Sequence, residues 1–472
     1  MTLLGCKQAG EDMVTDVASL PVATEDTPFT RAADVAVSPI LTLKATATPQ
    51  PNPTRMPESV TDVRANFGYT HQRADGNRLV PDQGALPDAT VIDVPLIGHP
   101  VWIAGAPIPS GAGDQFAGVV NASGWAVVMD DGRVQAFMVN GERVEETSIE
   151  PSQVQGIPPL LKVTGDNFEL LMPPAPAYGS APPAIIDEQG RMASVSPEGI
   201  INILDSDGTV LTTAENPPLP DGRLLVDEDG RLLYLSESTT RYAHGIAGDE
   251  IEAASVTLFD PSSENGPETV ITVPEPAVIE GIMPLWADLD GDGEREIIVT
   301  QSDAEKGAQI VVYDESGQKV AQGPAIGLGN RWRHQLAVAP FGLQGEVELV
   351  DVLTPHIGGV VEFYQLFGDE LQVVATVPGY TSHVIGSRNL DMALAGDLDG
   401  DGRVELLLPD QSFTHLGGIR RTTGGAEVAW VVPLEGRLST NLAAVQLMGG
   451  GLIFGAGRED GTMRLWLPES SD

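Results

Sequence analysis

From about Val91 onward the chain reads as short apolar runs separated by glycine-centred turns. Glu198-Gly199 opens onto Ile200-Ile201-Asn202-Ile203-Leu204, and Asp207-Gly208 onto Thr209-Val210-Leu211. Asp229-Gly230 precedes Leu232-Leu233-Tyr234-Leu235, and Asp460-Gly461 precedes Thr462-Met463-Arg464-Leu465-Trp466. Asp131-Gly132, Gln189-Gly190 and Ser316-Gly317 continue the series. An acidic or polar residue followed by Gly supplies the positive φ angles of tight hairpin turns, whose twist suits the flanking strands. The step of 9 from Gly199 to Gly208 leaves room for one strand between turns. No stretch carries a 3.6-residue period with caps, so helix content should be low. The pattern predicts a meander of antiparallel hairpins.

A longer period overlies the hairpins. Ala287, Ala339, Ala395 and Ala443 each open a segment that runs into an apolar β-type stretch, at steps of 52, 56 and 48 residues. Units of roughly 50 residues built from four short strands mean propeller blades. Spread over the 382 residues from Val91 to Asp472, seven blades fit best, with six or eight as the neighbouring solutions. The expected fold is all-β, a single β-propeller over 91–472. One blade cannot bury both faces alone, so the ring should fold as one unit.

Residues 1–90 have a different character. The stretch Ala45-Thr46-Ala47-Thr48-Pro49-Gln50-Pro51-Asn52-Pro53 shows neither helical nor strand period, as expected of an extended, disordered stalk. Leu3-Leu4-Gly5-Cys6 resembles the lipobox of bacterial lipoproteins, in which the cysteine receives the lipid. Only five residues precede Cys6, short of a signal peptide's basic and apolar regions, so the competing reading is a stray cysteine on a polar tail. On the lipobox reading the chain is extracytoplasmic, at the cell surface or in the periplasm. Its membrane contact is then through a lipid at Cys6 alone. Cys6 is the single cysteine, so no intrachain disulfide exists and the core or metal ions must hold the fold.

Charge narrows the partners. The formal net charge is −41, with 67 acidic residues against 26 Lys and Arg. That excludes nucleic acid as a partner, because phosphate neutralisation needs clustered cations. No apolar run approaches the roughly 20 residues of a membrane-crossing helix. With hydrophobic residues at 42%, the chain can still bury a core. Cations, or proteins met through local patches, are the partners this charge favours.

Two segments carry specific chemistry. Asp288-Leu289-Asp290-Gly291-Asp292-Gly293-Glu294-Arg295-Glu296 and Asp397-Leu398-Asp399-Gly400-Asp401-Gly402-Arg403-Val404-Glu405 both read D-x-D-x-D-G-x-x-E. Carboxylates at alternate positions of a tight loop can converge, and Gly at position six permits the turn. The position-seven carbonyls, of Glu294 and Arg403, would add an oxygen each. Such an oxygen-rich cage suits Ca²⁺ better than Mg²⁺, which demands strict octahedral geometry, and the absence of Cys and His argues against zinc. An EF-hand would need Glu at position twelve, where Val299 and Leu408 stand. About two Ca²⁺ sites are therefore expected, stiffening blades and taking no part in catalysis. The aligned unit from Pro340 to Glu348 has lost the carboxylates and should bind no metal.

With blades of about 50 residues around them, these loops resemble the FG-GAP or VCBS repeats of integrin-alpha-like β-propellers. In that family the D-x-D-x-D-G-x-x-D/E loop binds calcium at a blade rim. The resemblance is clear over about 280–472; over 91–279 it rests on turn spacing and composition.

Arg331-Trp332-Arg333-His334 is a cationic and aromatic cluster on a strongly acidic chain, and the candidate ligand site. The competing reading is a rim loop with Trp332 packed between blades. Asn389, Asp391 and Asn441 could line the channel mouth. His334, His356, His383 and His415 stand 22, 27 and 32 residues apart, off the blade period, so convergence on the ring axis is not implied, and solvated or hydrogen-bonded loop histidines are expected. No sialidase Asp-box, G-x-S-x-G, H-E-x-x-H or phosphate-binding loop occurs.

Three functions compete. The first is a non-enzymatic, calcium-stabilised surface propeller that binds a protein or glycan. The second is an extracytoplasmic lyase or hydrolase of polysaccharides, which a convergent cluster of Arg, His and carboxylate at the channel mouth would favour. The third is a structural part of an envelope assembly.

Overall fold

The computed structural model describes residues 67–68 and 76–468, apart from 109–121, 156, 165–166, 173–180, 188, 215, 243, 264–265 and 328. All of them fall in the unit Pro53–Asp472. Cys6 and the Pro/Thr/Ala-rich stretch to residue 66 lie outside the described residues. Among the described residues there is no helix, and hence none long and apolar enough to cross a membrane.

The strands fall in successive groups of four, antiparallel within each except for Ile149–Glu150, which pairs parallel to Asn167–Leu170. The first group is Pro100–Pro107, Ala122–Met129, Val134–Asn140 and Arg143–Thr147, and the third runs from Ala184–Ile185 to Val210–Thr213. The second group joins Leu161–Thr164 and Asn167–Leu170 with Ile149–Glu150 and the early strand Phe67–Gly68. The fourth runs from Leu225–Val226 to Thr269–Thr272, the fifth from Leu285–Ala287 to Lys319–Gln322, and the sixth from Arg333–Ala339 to Glu370–Pro378. The seventh is Leu394–Gly396, Glu405–Pro409, His415–Thr422 and Gly425–Pro433. The eighth takes Leu438–Gln446, Leu452–Arg458 and Thr462–Leu467 from the C-terminal end and completes itself with Thr90–Pro95.

This is a β-propeller, and its ring is closed by the pairing of Thr90–Pro95 with Thr462–Leu467. Strands such as Ala122–Met129, Glu252–Phe259 and Leu452–Arg458 are buried along their whole length, because each sheet feeds alternate side chains to the neighbour on either side. In the third group Ile185, Met192 and Leu204 pack with Leu160 of the second, while Ala193, Val195 and Ile203 face Val226, Leu232 and Tyr234 of the fourth. The last and first groups share a core of Ile103, Trp125, Val127, Val445, Ile453 and Leu465. Gly455 is required there, because a Cβ on it would meet the Trp125 ring at 2.4 Å.

Among the described residues the pairing makes five sheets of four strands and one of thirteen, the thirteen being the fourth, fifth and sixth groups plus Val278–Ile279, which pairs with both the fourth and the fifth, so the expectation of seven blades is not confirmed. The reason is unequal unit length. Steps of 48 to 56 hold in the C-terminal half, whereas the third group is complete between Ala184 and Thr213. Residues 76–80 and Leu86, ahead of position 90, are buried and lie against the inner strands of the later groups, while 81–85 are half-buried or exposed.

Candidate functional site: two carboxylate loops and a histidine cluster

Each D-x-D-x-D-G-x-x-E segment links the inner strand of its group to the second strand, as Leu285–Ala287 to Glu296–Asp303 and Leu394–Gly396 to Glu405–Pro409. The glycines at positions four and six adopt positive φ in both loops: 81° and 95° for Gly291 and Gly293, 79° and 85° for Gly400 and Gly402. That curls the chain so that its own amides bind its aspartates. Gly291 and Gly293 N–H donate to Asp288 at 2.7 and 3.1 Å, and Gly402 N–H donates to Asp397 at 3.1 Å. The glutamate at position nine folds back to accept the amide of position two, Leu289 to Glu296 at 2.7 Å and Leu398 to Glu405 at 3.0 Å.

The outcome is two convergent groups. Oxygens of Asp288, Asp290 and Glu296 lie within 4.8 Å of one another, as do those of Asp397, Asp399 and Glu405. Asp292 and Asp401 turn instead to the amides of Glu294 and Arg403, and Asp401 also meets Arg420. Burial, reinforced by the neighbouring aspartates, pushes Glu296 up to about 7 and Glu405 up to about 8. Asp397 Oδ1 and Glu405 Oε1 are buried with no hydrogen-bond partner. A buried carboxylate oxygen left unpaired costs more than about 1–3 kcal/mol, and a cation would fit this set of oxygens.

The opposite rim holds a second cluster. In antiparallel groups of four, the loop after the first strand lies on one rim; the loop after the second strand, and the link to the next group, lie on the other. His244 and His356 sit in loops after second strands; Trp332 and His383 sit in links between groups. Trp332 is stacked between His334 at 4.5 Å and His356 at 6.0 Å, and His383 meets it edge-on at 5.2 Å. His356 and His383 are hydrogen-bonded loop histidines as expected, but the spacing gave no sign that His334, His356 and His383 share one cluster. Spacing equal to the blade period was the wrong test, because two kinds of loop reach the same rim. His415 stands apart, beside Asp410 and Thr414.

Hydrogen bonding fixes the tautomers. The Ser387 carbonyl only accepts, so His383 Nε2–H donates to it at 2.7 Å. Burial holds His383 down at about 3, so its ring is neutral and its Nδ1 accepts from His356 Nε2–H at 2.8 Å. His356 is likewise held down at about 4 by burial, which leaves its Nδ1 a bare acceptor. Beside this chain, His244 Nδ1 pairs with the buried Glu280, which also accepts from Ser302 Oγ. Burial and the charge of Glu280 push Glu252 up to about 9. Among the described residues, groups of three metal-ligating side chains occur only in the two carboxylate loops.

The Arg331-Trp332-Arg333-His334 run divides. Arg331 is exposed, while the other three are buried. Arg333 is committed to Asp351, Glu362 and Tyr364 on the neighbouring strands. Trp332 packs with Ile279, Ile282 and Leu390 between groups, as the competing reading had it. Asp391 pairs with Arg223 at 2.7 Å, and Asn441 bonds both backbone groups of Ile103, so these polar residues tie blades together.

The sequence matches no family model and no curated protein. In structure the chain is similar to BamB from Moraxella catarrhalis over 81% of this chain and 99% of that one, at 12% identity and a TM-score of 0.45. It is also similar to the WD40 β-propeller domain of Doa1 (81% and 97% covered, 10% identity, TM-score 0.40). The Dos1 propeller covers 83% of this chain and 85% of its own, at 10% identity and 0.40. The propeller assignment rests on the strand pairing and shared cores above.

Proposed function

We propose that this chain is a calcium-stabilised, non-enzymatic binding propeller of the FG-GAP/VCBS type, displayed outside the cytoplasm on a lipid-anchored stalk. The observation that carries the calcium reading is the pair of buried, unpartnered oxygens, Asp397 Oδ1 and Glu405 Oε1, within a convergent carboxylate group. Asp288, Asp290 and Glu296 would hold one Ca²⁺ and Asp397, Asp399 and Glu405 the other. The ion neutralises three carboxylates that otherwise repel by about 1 kcal/mol per pair in water and several times more when half buried. Titrating chelator-stripped protein with Ca²⁺ in a calorimeter should give two sites, and the Asp290→Ala/Asp399→Ala double variant none. Heat of binding absent from the wild type refutes the reading.

The ligand, a protein or a glycan, is taken by the rim opposite the calcium loops. Support comes from Ile357 and Ile385, 71% and 63% exposed on the loops that also present His356 and His383. A second reading, a polysaccharide-acting enzyme, is favoured by the His244–Glu280 pair beside Glu252 and by Arg388, which binds Asp221 and Asp249. Product release from acidic and neutral polysaccharides by the wild type, abolished by His244→Ala, would establish it. Mass spectrometry of the native N-terminus tests the anchor: a lipidated Cys6 is expected, and an unmodified peptide containing Met1 refutes it.

A further inference from the structure

The segment from Asn77 to Leu86 is strapped across the inner strands. Asn77 pairs its side-chain amide with both backbone groups of Val338, at 2.8 and 3.2 Å. Arg78 is fully buried; its guanidinium donates to the carbonyls of Leu390 at 2.6 and 3.1 Å and of Leu336 at 2.8 Å. The backbone then runs parallel to the free edge of Leu394–Gly396: Ala395 N–H donates to Arg78 O at 2.9 Å, and Val80 N–H to Ala395 O at 2.7 Å.

Its next two bonds land on the second carboxylate loop. Gly84 N–H donates to Asp397 O at 2.8 Å and Leu86 N–H to Leu398 O at 3.0 Å. The peptide joining Asp397 to Leu398 thus offers its carbonyl to the strap, and its N–H to Glu405 Oε2. The approach is close enough to require glycine, since a Cβ on Gly84 would lie 2.3 Å from Leu398 O and 2.7 Å from the Phe454 ring. The first loop has the same internal bonds. Yet among the described residues no backbone amide donates to the carbonyl of Asp288 or Leu289.

We infer that the 397–405 loop is a calcium-dependent clasp for the strap 77–86, a role the 288–296 loop does not share. This rests on the calcium reading above. A cation drawing Asp397, Asp399 and Glu405 together fixes the peptide on which Gly84 and Leu86 hang. An empty loop, with three carboxylates repelling, turns those carbonyls away and lets the strap leave the inner edge. Coupling between sites is reciprocal, so the docked strap tightens calcium at this loop by the factor that calcium favours docking.

Trypsin reads the strap directly, because Arg78 is a cleavage site that docking hides. In the full chain with Ca²⁺, no cut after Arg78 is expected. With EDTA, at a temperature where far-UV circular dichroism reports an intact propeller, the cut appears. Asp399→Ala should open Arg78 even in Ca²⁺, and Asp290→Ala should not. Gly84→Ala, which touches no carboxylate, should weaken one of the two calcium sites by about 5-fold or more. Arg78 staying protected in EDTA while the melting temperature has fallen overturns the clasp and leaves the calcium reading standing. Equal cleavage in the two Asp→Ala variants also overturns it. An EDTA effect on neither cleavage nor melting overturns both.

Discussion

Acid should loosen the histidine cluster. In the folded chain burial keeps His383 at about 3 and His356 at about 4, whereas an unfolded histidine titrates near 6.5. The folded values are lowered, so below pH 6.5 the unfolded state binds more protons. The stability from neutral burial is complete above that pH and is lost as pH falls toward 4 and 3. At pH 5 the unfolded His383 has gained about 2 kcal/mol from protonation, and the folded ring almost nothing. His356 is half-buried, so solvent discounts its share to about 1 kcal/mol. His334, fully buried with its pKa also lowered, adds to the loss in the same direction. Urea denaturation of metal-free protein at pH 7.5 and 5.0 measures the difference, and His383→Asn should shrink it by about 2 kcal/mol. Carboxylates titrate equally in both proteins and cancel. An unchanged pH difference in the variant would refute the buried, neutral His383 and the hydrogen-bond chain built on it.

Asp391→Asn takes the Asp391 charge away from the buried Arg223 guanidinium, and Arg78 lies 3.9 Å from the same carboxylate. Urea unfolding should show a loss of about 3–5 kcal/mol, and a loss well under 1 kcal/mol contradicts the ion pair. Gly455→Ala drives a methyl into the Trp125 ring at the seam between the last and first groups. It should cost about 1–3 kcal/mol, relieved in part by adding Trp125→Leu; no relief would place the strain elsewhere.

How much was legible in the sequence depended on how local the determinants were. The carboxylate loops are set by nine consecutive residues, so convergence of Asp397, Asp399 and Glu405 could be read directly, down to the glycines with positive φ, whereas Asp292 and Asp401, expected to converge with them, turn to backbone amides. The hairpin turns at Gly199, Gly208 and Gly230 likewise announced strands that are present. The blade count was not legible, because the compact group from Ala184 to Thr213 breaks the C-terminal period. The histidine cluster is assembled from three separate segments, the start of strand Arg333–Ala339, the loop after Glu348–Leu353 and the link after Glu370–Pro378. Its signal was the phase of each histidine within its blade, which strand boundaries supply and spacing alone does not. Arg78 and Asn77 sit in a polar stretch that looks solvated, and only the carbonyls of distant strands explain their burial.

The central claim is that two calcium ions hold the blades, and differential scanning calorimetry in Ca²⁺ and in EDTA tests it most directly. At calcium a hundredfold above Kd each site adds about 2.7 kcal/mol, so two sites should raise the melting temperature by roughly 5 °C or more. The Asp290→Ala/Asp399→Ala variant should melt at one temperature in both buffers. A wild-type melting temperature that is the same with calcium and with chelator would contradict the account.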